Sequence, residues 1–231
     1  NKVRQALGNL EFLAVQDIFL TETAEFADVV LPASSYFEKA GSYTNTDRRV
    51  QLGRPVLAPP GDARQDWEIL CEVSRRLDLP SDYSSVSEIF DEFTGLTRNY
   101  QGLTHDNLGA TGRLWPCPDP ERGEGQQILF GEGFPTTSGR GRFVPCSFQP
   151  PDELPDRDFP FLLNTGRVLE HWHTGTMTRR SQALDAIEPH AFVAIHPADL
   201  DQLGVETGGL LRVSSRRGEI ELASRADDGI Q

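Results

Sequence analysis

Short apolar runs broken by polar loops, rather than long periodic stretches, set the pattern of this 231-residue chain. Phe12 to Val15 reads as a short buried strand that ends at Gln16-Asp17. TETAEFAD follows, where Thr21 or Thr23 stands ready to cap a short helix with acidic residues in its first turn. Val29-Val30-Leu31 is a second strand, stopped by Pro32. A strand, short helix, strand rhythm belongs to an α/β sheet. Ligands in such sheets sit where strands end and loops begin. Gln16 and Asp17 hold that position.

Residues 36–65 read mostly as loop, and a loop that long is functional or a linker. Asp66 then precedes Ile69, Leu70, Val73 and Leu77, a helical spacing for which Asp66 serves as N-cap and Pro80 as stop. Ser85 and Glu88 make a capping-box pattern ahead of Ile89, Phe90 and Phe93. From 96 to 157 Gly, Pro and polar residues dominate, so the segment reads as an irregular connector with short strands near Ile128–Phe130 and Phe143-Val144. Beyond it come a strand at Phe161–Asn164, a strand at AFVAI, a short helix in HPADLDQLGV ending at Gly204, and a hairpin LLRVSS/EIELASRA turning at Arg216-Arg217-Gly218. Several short strands with one small helix suggest a β-barrel, but four or so are too few to close one. The expected organisation is α/β over 1–95, connector over 96–157 and β-rich over 158–231.

Composition narrows the partners. The net charge of −13 repels phosphate backbones, so nucleic acid is not expected. No apolar stretch nears the roughly 20 residues that span a bilayer. No signal peptide shows at NKVRQALGNL, and no initiating Met precedes it, so the chain reads as a fragment of a parent expected in the cytoplasm, with the periplasm as the alternative. Cys71, Cys117 and Cys146 are too scattered for a disulfide framework or a metal site.

The densest chemistry is TGRVLEHWHTGTMTRR, residues 165–180, with two His, one Trp, three Arg, four Thr and two Gly. Glycines let backbone approach a ligand, while hydroxyls, amides and arginines hold phosphate or a polar heterocycle. A plain polar loop is the alternative. His171 and His173 would share a face in a strand, as in some metal sites, but no third ligand stands nearby. Lys39, Arg48 and Arg49 are cations suited to phosphate, or ordinary loop charges. Asp17 and Asp66 can each accept two hydrogen bonds from a guanine edge, with Asp66 equally readable as a helix cap.

At these residues a resemblance appears. VQDIFLTETAEFADVVLPA, EKAGSYTNTDRRVQ, GDARQDWEIL and GRVLEHWHTGTMTRR, continued by HPADLDQLGV and VSSRRGEIE, resemble the molybdopterin-dinucleotide oxidoreductases in the expected order. The QDIFLTETAEFADVVLPASS run, WPCP and F-x-x-x-x-G-R-G-R-F look like the formate dehydrogenase branch, while nitrate reductases share GRVLEHWHTG. The resemblance implies the end of a Rossmann-like α/β domain followed by an incomplete double-psi β-barrel. It implies a molybdenum or tungsten bis-molybdopterin guanine dinucleotide. Gln16, Asp17, Lys39 and Asp66 would contact a dinucleotide; Thr165, Gly166, Arg167, Val168, Leu169, Glu170, His171, Trp172, His173 and Thr174, with Thr176, would wrap a pterin and its phosphates. It also implies that the metal's own ligand, the catalytic residues and a [4Fe-4S] cluster lie outside this sequence, that the fragment alone is inert, and that the parent meets formate and iron–sulfur or flavin electron-transfer subunits. Nitrate reduction and a non-catalytic structural homologue are the alternatives.

Overall fold

A computed structural model describes residues 2–121 and 124–230. The chain divides into two compact units, through Phe143 and from Val144.

The first unit opens with α1 (Lys2–Gly8), which the apolar pattern did not announce, and β1 (Ala14–Asp17). β1 pairs in parallel with β2 (Val29–Pro32), Asp17 opposite Pro32. Between them the expected short helix is a single 3-10 turn, Ala24–Phe26. Thr21 supports it, its Oγ1 accepting the Ala24 N–H at 3.4 Å, while Thr23 makes no side-chain cap.

Residues 36–65 are mostly loop, as expected, but they also hold a hairpin the reading did not foresee. Ser35 starts a 3-10 turn, Tyr36–Glu38, and an antiparallel hairpin follows, β3 (Gly41–Thr44) with β4 (Arg49–Gly53). Its polar strands hide the two-residue alternation that marks a half-buried sheet. α2 (Asp66–Arg76) has Gln65, not Asp66, as its N-cap; the Glu68 carboxylate reaches back to accept the Gln65 N–H at 3.1 Å. The helix ends before Pro80, where Asp78 turns the chain at φ 55°. α3 (Val86–Leu96) is capped as expected, Ser85 Oγ accepting from the Glu88 N–H at 3.3 Å, but the Glu88 carboxylate takes the N–H of Ser84 rather than of Ser85.

The expected connector is not uniform. Its first part forms α4 (His105–Leu108) and β5 (Arg113–Leu114), the latter paired on β4. Leu103, Leu108 and Cys117 join Val50 and Phe90 in the core, with Leu52, Tyr100 and Trp115 against it. Gly102 is needed there: its N–H meets the Cys117 carbonyl at 2.6 Å, and a Cβ would strike that same oxygen. No strand forms at 128–130, 143–144 or 161–164, and apart from the half-buried Leu129 the large apolar residues of these stretches are exposed. An apolar run becomes a strand only where a neighbour accepts its backbone hydrogen bonds, and among the described residues none pairs with these as a strand. Arg122 and Gly123 of the connector lie outside the described residues.

In the second unit α5 (Gln182–Ile187) precedes β6 (Phe192–Ile195). α6 (Pro197–Leu203) starts with Pro197 and ends at Gly204 in the left-handed region, φ 65°. β7 (Leu210–Ser215) and β8 (Gly218–Ala226) form the expected hairpin, with Leu211 opposite Leu222 and Val213 opposite Ile220. The open sheet runs β6-β8-β7, β6 parallel to β8. Glu153 grips the hairpin turn through Arg216 and Arg217.

His105 gives the first unit a pH dependence. Its Nε2 is buried without a partner, and its ring lies 4.9 Å from that of Phe90. Burial lowers its pKa; the Asp91 and Asp106 charges oppose this but do not cancel it. Protonation therefore favours the unfolded chain. The contribution is full above the ordinary value of about 6.5 and is lost as pH falls through that value toward the folded one. The urea midpoint should fall between about pH 7.5 and about pH 5, and fall less in His105→Gln. Equal falls in both proteins would remove His105 as the cause.

Candidate functional site

Three of the four first-unit residues that the resemblance assigns to a dinucleotide meet. Gln16 is the penultimate residue of β1, Lys39 lies between the 3-10 turn and β3, and Asp66 is the first residue of α2. Because Gln65 takes the cap, the Asp66 carboxylate is free for other work. Gln16 Nε2 donates to Asp66 Oδ1 at 2.7 Å, and Lys39 Nζ pairs with Oδ2. Backbone holds the three elements together: the Ala33 N–H donates to the Asp17 carbonyl at 3.0 Å, Ala33 bridges Arg64, and the Ala40 N–H donates to Gln65 Oε1 at 3.3 Å. The cluster thus stands at the carboxyl ends of the parallel pair.

Partial burial raises the Asp66 pKa, but the hydrogen bonds from Lys39 and Gln16 and the Lys39 charge outweigh it and hold the carboxyl below its ordinary range. Asp66 is therefore ionised at neutral pH, with 43% of its side chain still open to solvent. Asp17 is adjacent but occupied locally, its Oδ1 accepting the Phe19 N–H at 3.1 Å.

Arg48 and Arg49 are not free for phosphate. Arg48 Nη1 donates to the carbonyls of Trp115 at 2.6 Å and Gln126 at 2.9 Å, and Nη2 to that of Gln127 at 2.8 Å. Arg49 reaches the Thr111 carbonyl and Asp47. Both are structural ties of the hairpin.

In the second unit the 165–176 segment is not a strand, so His171 and His173 share no face and the H-x-H metal reading fails. Among the described residues no group of three or more His, Cys, Asp or Glu is placed to hold a metal ion. Thr165, Gly166, Arg167 and Leu169 are exposed, while Val168 and Glu170 are half-buried. Arg167 has no side-chain partner among the described residues. His171 is buried, its Nδ1 3.1 Å from Thr178 Oγ1 and its Nε2 2.7 Å from the Glu188 carbonyl. Trp172, His173, Thr174 and Thr176 are exposed on the turn that follows. The Trp172 and His173 rings pack edge-on, centroids 4.6 Å apart, and the Thr174 and Thr176 hydroxyls lie 3.2 Å apart.

Residue type alone did not single out Thr178 or Arg179, the side chains that secure this turn. Their partners lie up to ten residues away, and only the folded backbone brings them close.

Taken unit by unit, each donor set suits a part of a dinucleotide. An ionised, half-open carboxylate accepts from the amide and amine of a guanine edge. An exposed guanidinium and exposed hydroxyls suit phosphate. At Gly166 the space a Cβ would take is open.

Residues 1–76 match the molybdopterin oxidoreductase model, and residues 161–231 match the molybdopterin dinucleotide-binding domain. The chain belongs to the molybdopterin oxidoreductase family. It is 46% identical, over 99% of its length, to the F420-dependent formate dehydrogenase subunit alpha of Methanocaldococcus jannaschii, of which it covers 34%. It is 36% identical to the assimilatory nitrate reductase catalytic subunit of Bacillus subtilis, all of the chain matching 34% of that protein. The chain thus spans about a third of the length of these relatives. Its fold resembles that of acetylene hydratase from Pelobacter acetylenicus, with TM-score 0.71 and 21% identity over 97% of this chain and 32% of that one.

Proposed function

We propose that this chain is the dinucleotide-binding part of a formate dehydrogenase catalytic subunit. The observation that carries the reading is the convergence of Gln16 and Lys39 on an ionised Asp66 at the carboxyl ends of parallel strands. The formate dehydrogenase relative at 46% identity supplies the substrate; the nitrate reductase at 36% supports the second reading less strongly.

In this reading the first unit is the end of a Rossmann-like domain and the second an incomplete double-psi barrel. Asp66 accepts from the guanine edge, with Gln16 and Lys39 setting its orientation and charge, and Asp17 borders the same strand end. Arg167 and the hydroxyls of Thr165, Thr174 and Thr176 hold phosphate. Gly166 gives close backbone approach. Val168, Leu169, Glu170, Trp172 and His173 border the pterin. When bound, the molybdenum or tungsten bis-dinucleotide supplies the two-electron chemistry. In the full-length protein that chemistry would take two electrons and a proton from formate to leave carbon dioxide, and a [4Fe-4S] cluster with iron–sulfur or flavin subunits would accept the electrons. The described residues of this chain bind and orient the cofactor and include no helix long and apolar enough to cross a membrane.

The test is the full-length protein. It should release guanine nucleotide on acid hydrolysis and reduce a dye with formate but not oxidise one with nitrate. Absence of guanine nucleotide would sink the reading, and nitrate-dependent oxidation alone would move it to the second. Arg167→Ala should lower dinucleotide content by about 10-fold or more, the scale of one charge-assisted hydrogen bond of roughly 1.5–3 kcal/mol. Unchanged content would remove Arg167 from the site.

A further inference from the structure

The turn after His171 is fastened at both ends to one short stretch of chain. The Glu188 carbonyl can only accept, so His171 Nε2 carries the proton in that 2.7 Å bond. In the neutral ring Nδ1 then accepts from the Thr178 hydroxyl at 3.1 Å. The same Thr178 oxygen accepts the Trp172 N–H at 3.1 Å, closing the loop from Trp172 to Thr178. At the other end Arg179 Nη1 donates to the Pro189 carbonyl at 2.7 Å and to Asp185 Oδ1 at 3.1 Å. Its stem lies against Gly175, where φ is 78° and a Cβ would meet Arg179 Cγ at 2.8 Å.

His171 and Arg179 thus grasp consecutive carbonyls, Glu188 and Pro189. That stretch is itself tied to the sheet. The Glu188 carboxylate pairs with Arg225 of β8 at 2.8 Å, and the Arg225 guanidinium lies 3.5 Å from the centroid of the Phe192 ring on β6. Inside the fastened turn the Gly175 N–H donates to the Trp172 carbonyl at 2.9 Å, and His173 is held at φ 52°, a conformation non-glycine residues adopt at a cost. Trp172, His173, Thr174 and Thr176 are left facing outward.

We propose that His171 is a positioning residue rather than a ligand contact: through Thr178 and the Glu188 carbonyl it sets the Trp172–Thr176 turn in a fixed shape against which the pterin dinucleotide binds. Both ring nitrogens are used inside the protein, so neither is left to meet a ligand. The proposal rests on the cofactor reading above and reassigns one residue within it. A preformed turn binds without the ordering cost that a mobile one carries.

The experiment uses the full-length protein and three variants: His171→Phe, Thr178→Val and Thr178→Ser. Measured are guanine nucleotide released per protein, exchange of the Trp172 amide hydrogen, and the electron paramagnetic resonance spectrum of the bound metal. Thr178→Val leaves the imidazole in place but removes the hydroxyl that links it to the turn. Positioning predicts that Thr178→Val and His171→Phe both lose dinucleotide by about 10-fold, the lower end of what a supporting partner contributes. Both should speed Trp172 exchange and shift the metal spectrum, and Thr178→Ser should restore all three readouts. Loss in His171→Phe with full content and an unshifted spectrum in Thr178→Val would make His171 a direct contact and overturn the proposal. Wild-type values in both variants would overturn it too. If His171→Phe does not accumulate folded, the Thr178 pair decides alone. Guanine nucleotide absent from the unmodified protein would instead bring down the cofactor reading itself.

Discussion

Replacing Asp66 with alanine in the full-length protein is expected to cut bound guanine dinucleotide by about 10- to 100-fold while leaving the fold nearly as stable as before. The first half follows from charge. Two hydrogen bonds from a guanine edge to an ionised carboxylate are each worth roughly 1.5–3 kcal/mol, and even one lost bond gives the lower figure. The second half follows from exposure. Asp66 pairs with Lys39, but its side chain is 43% open to solvent, and such pairs add about 0–1 kcal/mol to folding. Occupancy and stability should therefore part company. Asp66→Asn keeps one acceptor but loses the charge, so it should fall between the two. The carboxyl is held below its ordinary range, so its contribution to stability is present above the unfolded value of about 3.9 and disappears only as pH falls through the folded one. Between about pH 5 and about pH 8 the carboxylate stays charged, and its part in binding should not vary. Full dinucleotide content in Asp66→Ala, measured on folded protein, would exclude Asp66 from the site.

The convergence at Asp66 was legible in part. Gln16 was marked because it ends an apolar run, and Asp66 because it opens a helical spacing. Their meeting with Lys39 was not readable from spacing, since the residues lie 50 and 27 positions apart and a hairpin fills much of the gap. That hairpin was missed because Gly41-Ser42-Tyr43-Thr44 carries no apolar alternation; its strand is fixed by β4, whose Val50 is buried in the core. The cap assignment failed because Gln is a less common cap than Asp, and the deciding bond runs back from Glu68. The second half of the chain was more legible. Gly204 ends α6 and the paired faces of β7 and β8 alternate, both local signals. Phe161–Asn164 shows the converse failure. Its composition suits a strand, yet residues 161–164 have no strand partner among the described residues.

The same contrast makes the connector's first part a strong test of what holds the first unit together. Gly and Pro around residues 95–121 suggested irregular chain, yet Leu103 is 0% exposed and Leu108 1% exposed. Leu108 ends a four-residue helix too short to be stable alone, so packing rather than helix propensity must keep it in place. Thr104 caps that helix and Asn107 Nδ2 donates to the Gly102 carbonyl at 2.8 Å, fixing both leucines against Val50 and Phe90. Leu103→Ala or Leu108→Ala should therefore cost about 2–5 kcal/mol, the range for emptying a packed leucine site. A surface change such as Leu96→Ala, on the same unit but 81% exposed, should stay within about 0.5 kcal/mol. Urea unfolding of the full-length protein, followed by the fluorescence of Trp115 beside this core, reads the difference. Equal stability of Leu103→Ala and Leu96→Ala would mean that this segment only covers the hairpin. A large loss would show that chain rich in turn-forming residues anchors the hairpin and, with it, the loop that carries Lys39 to Asp66.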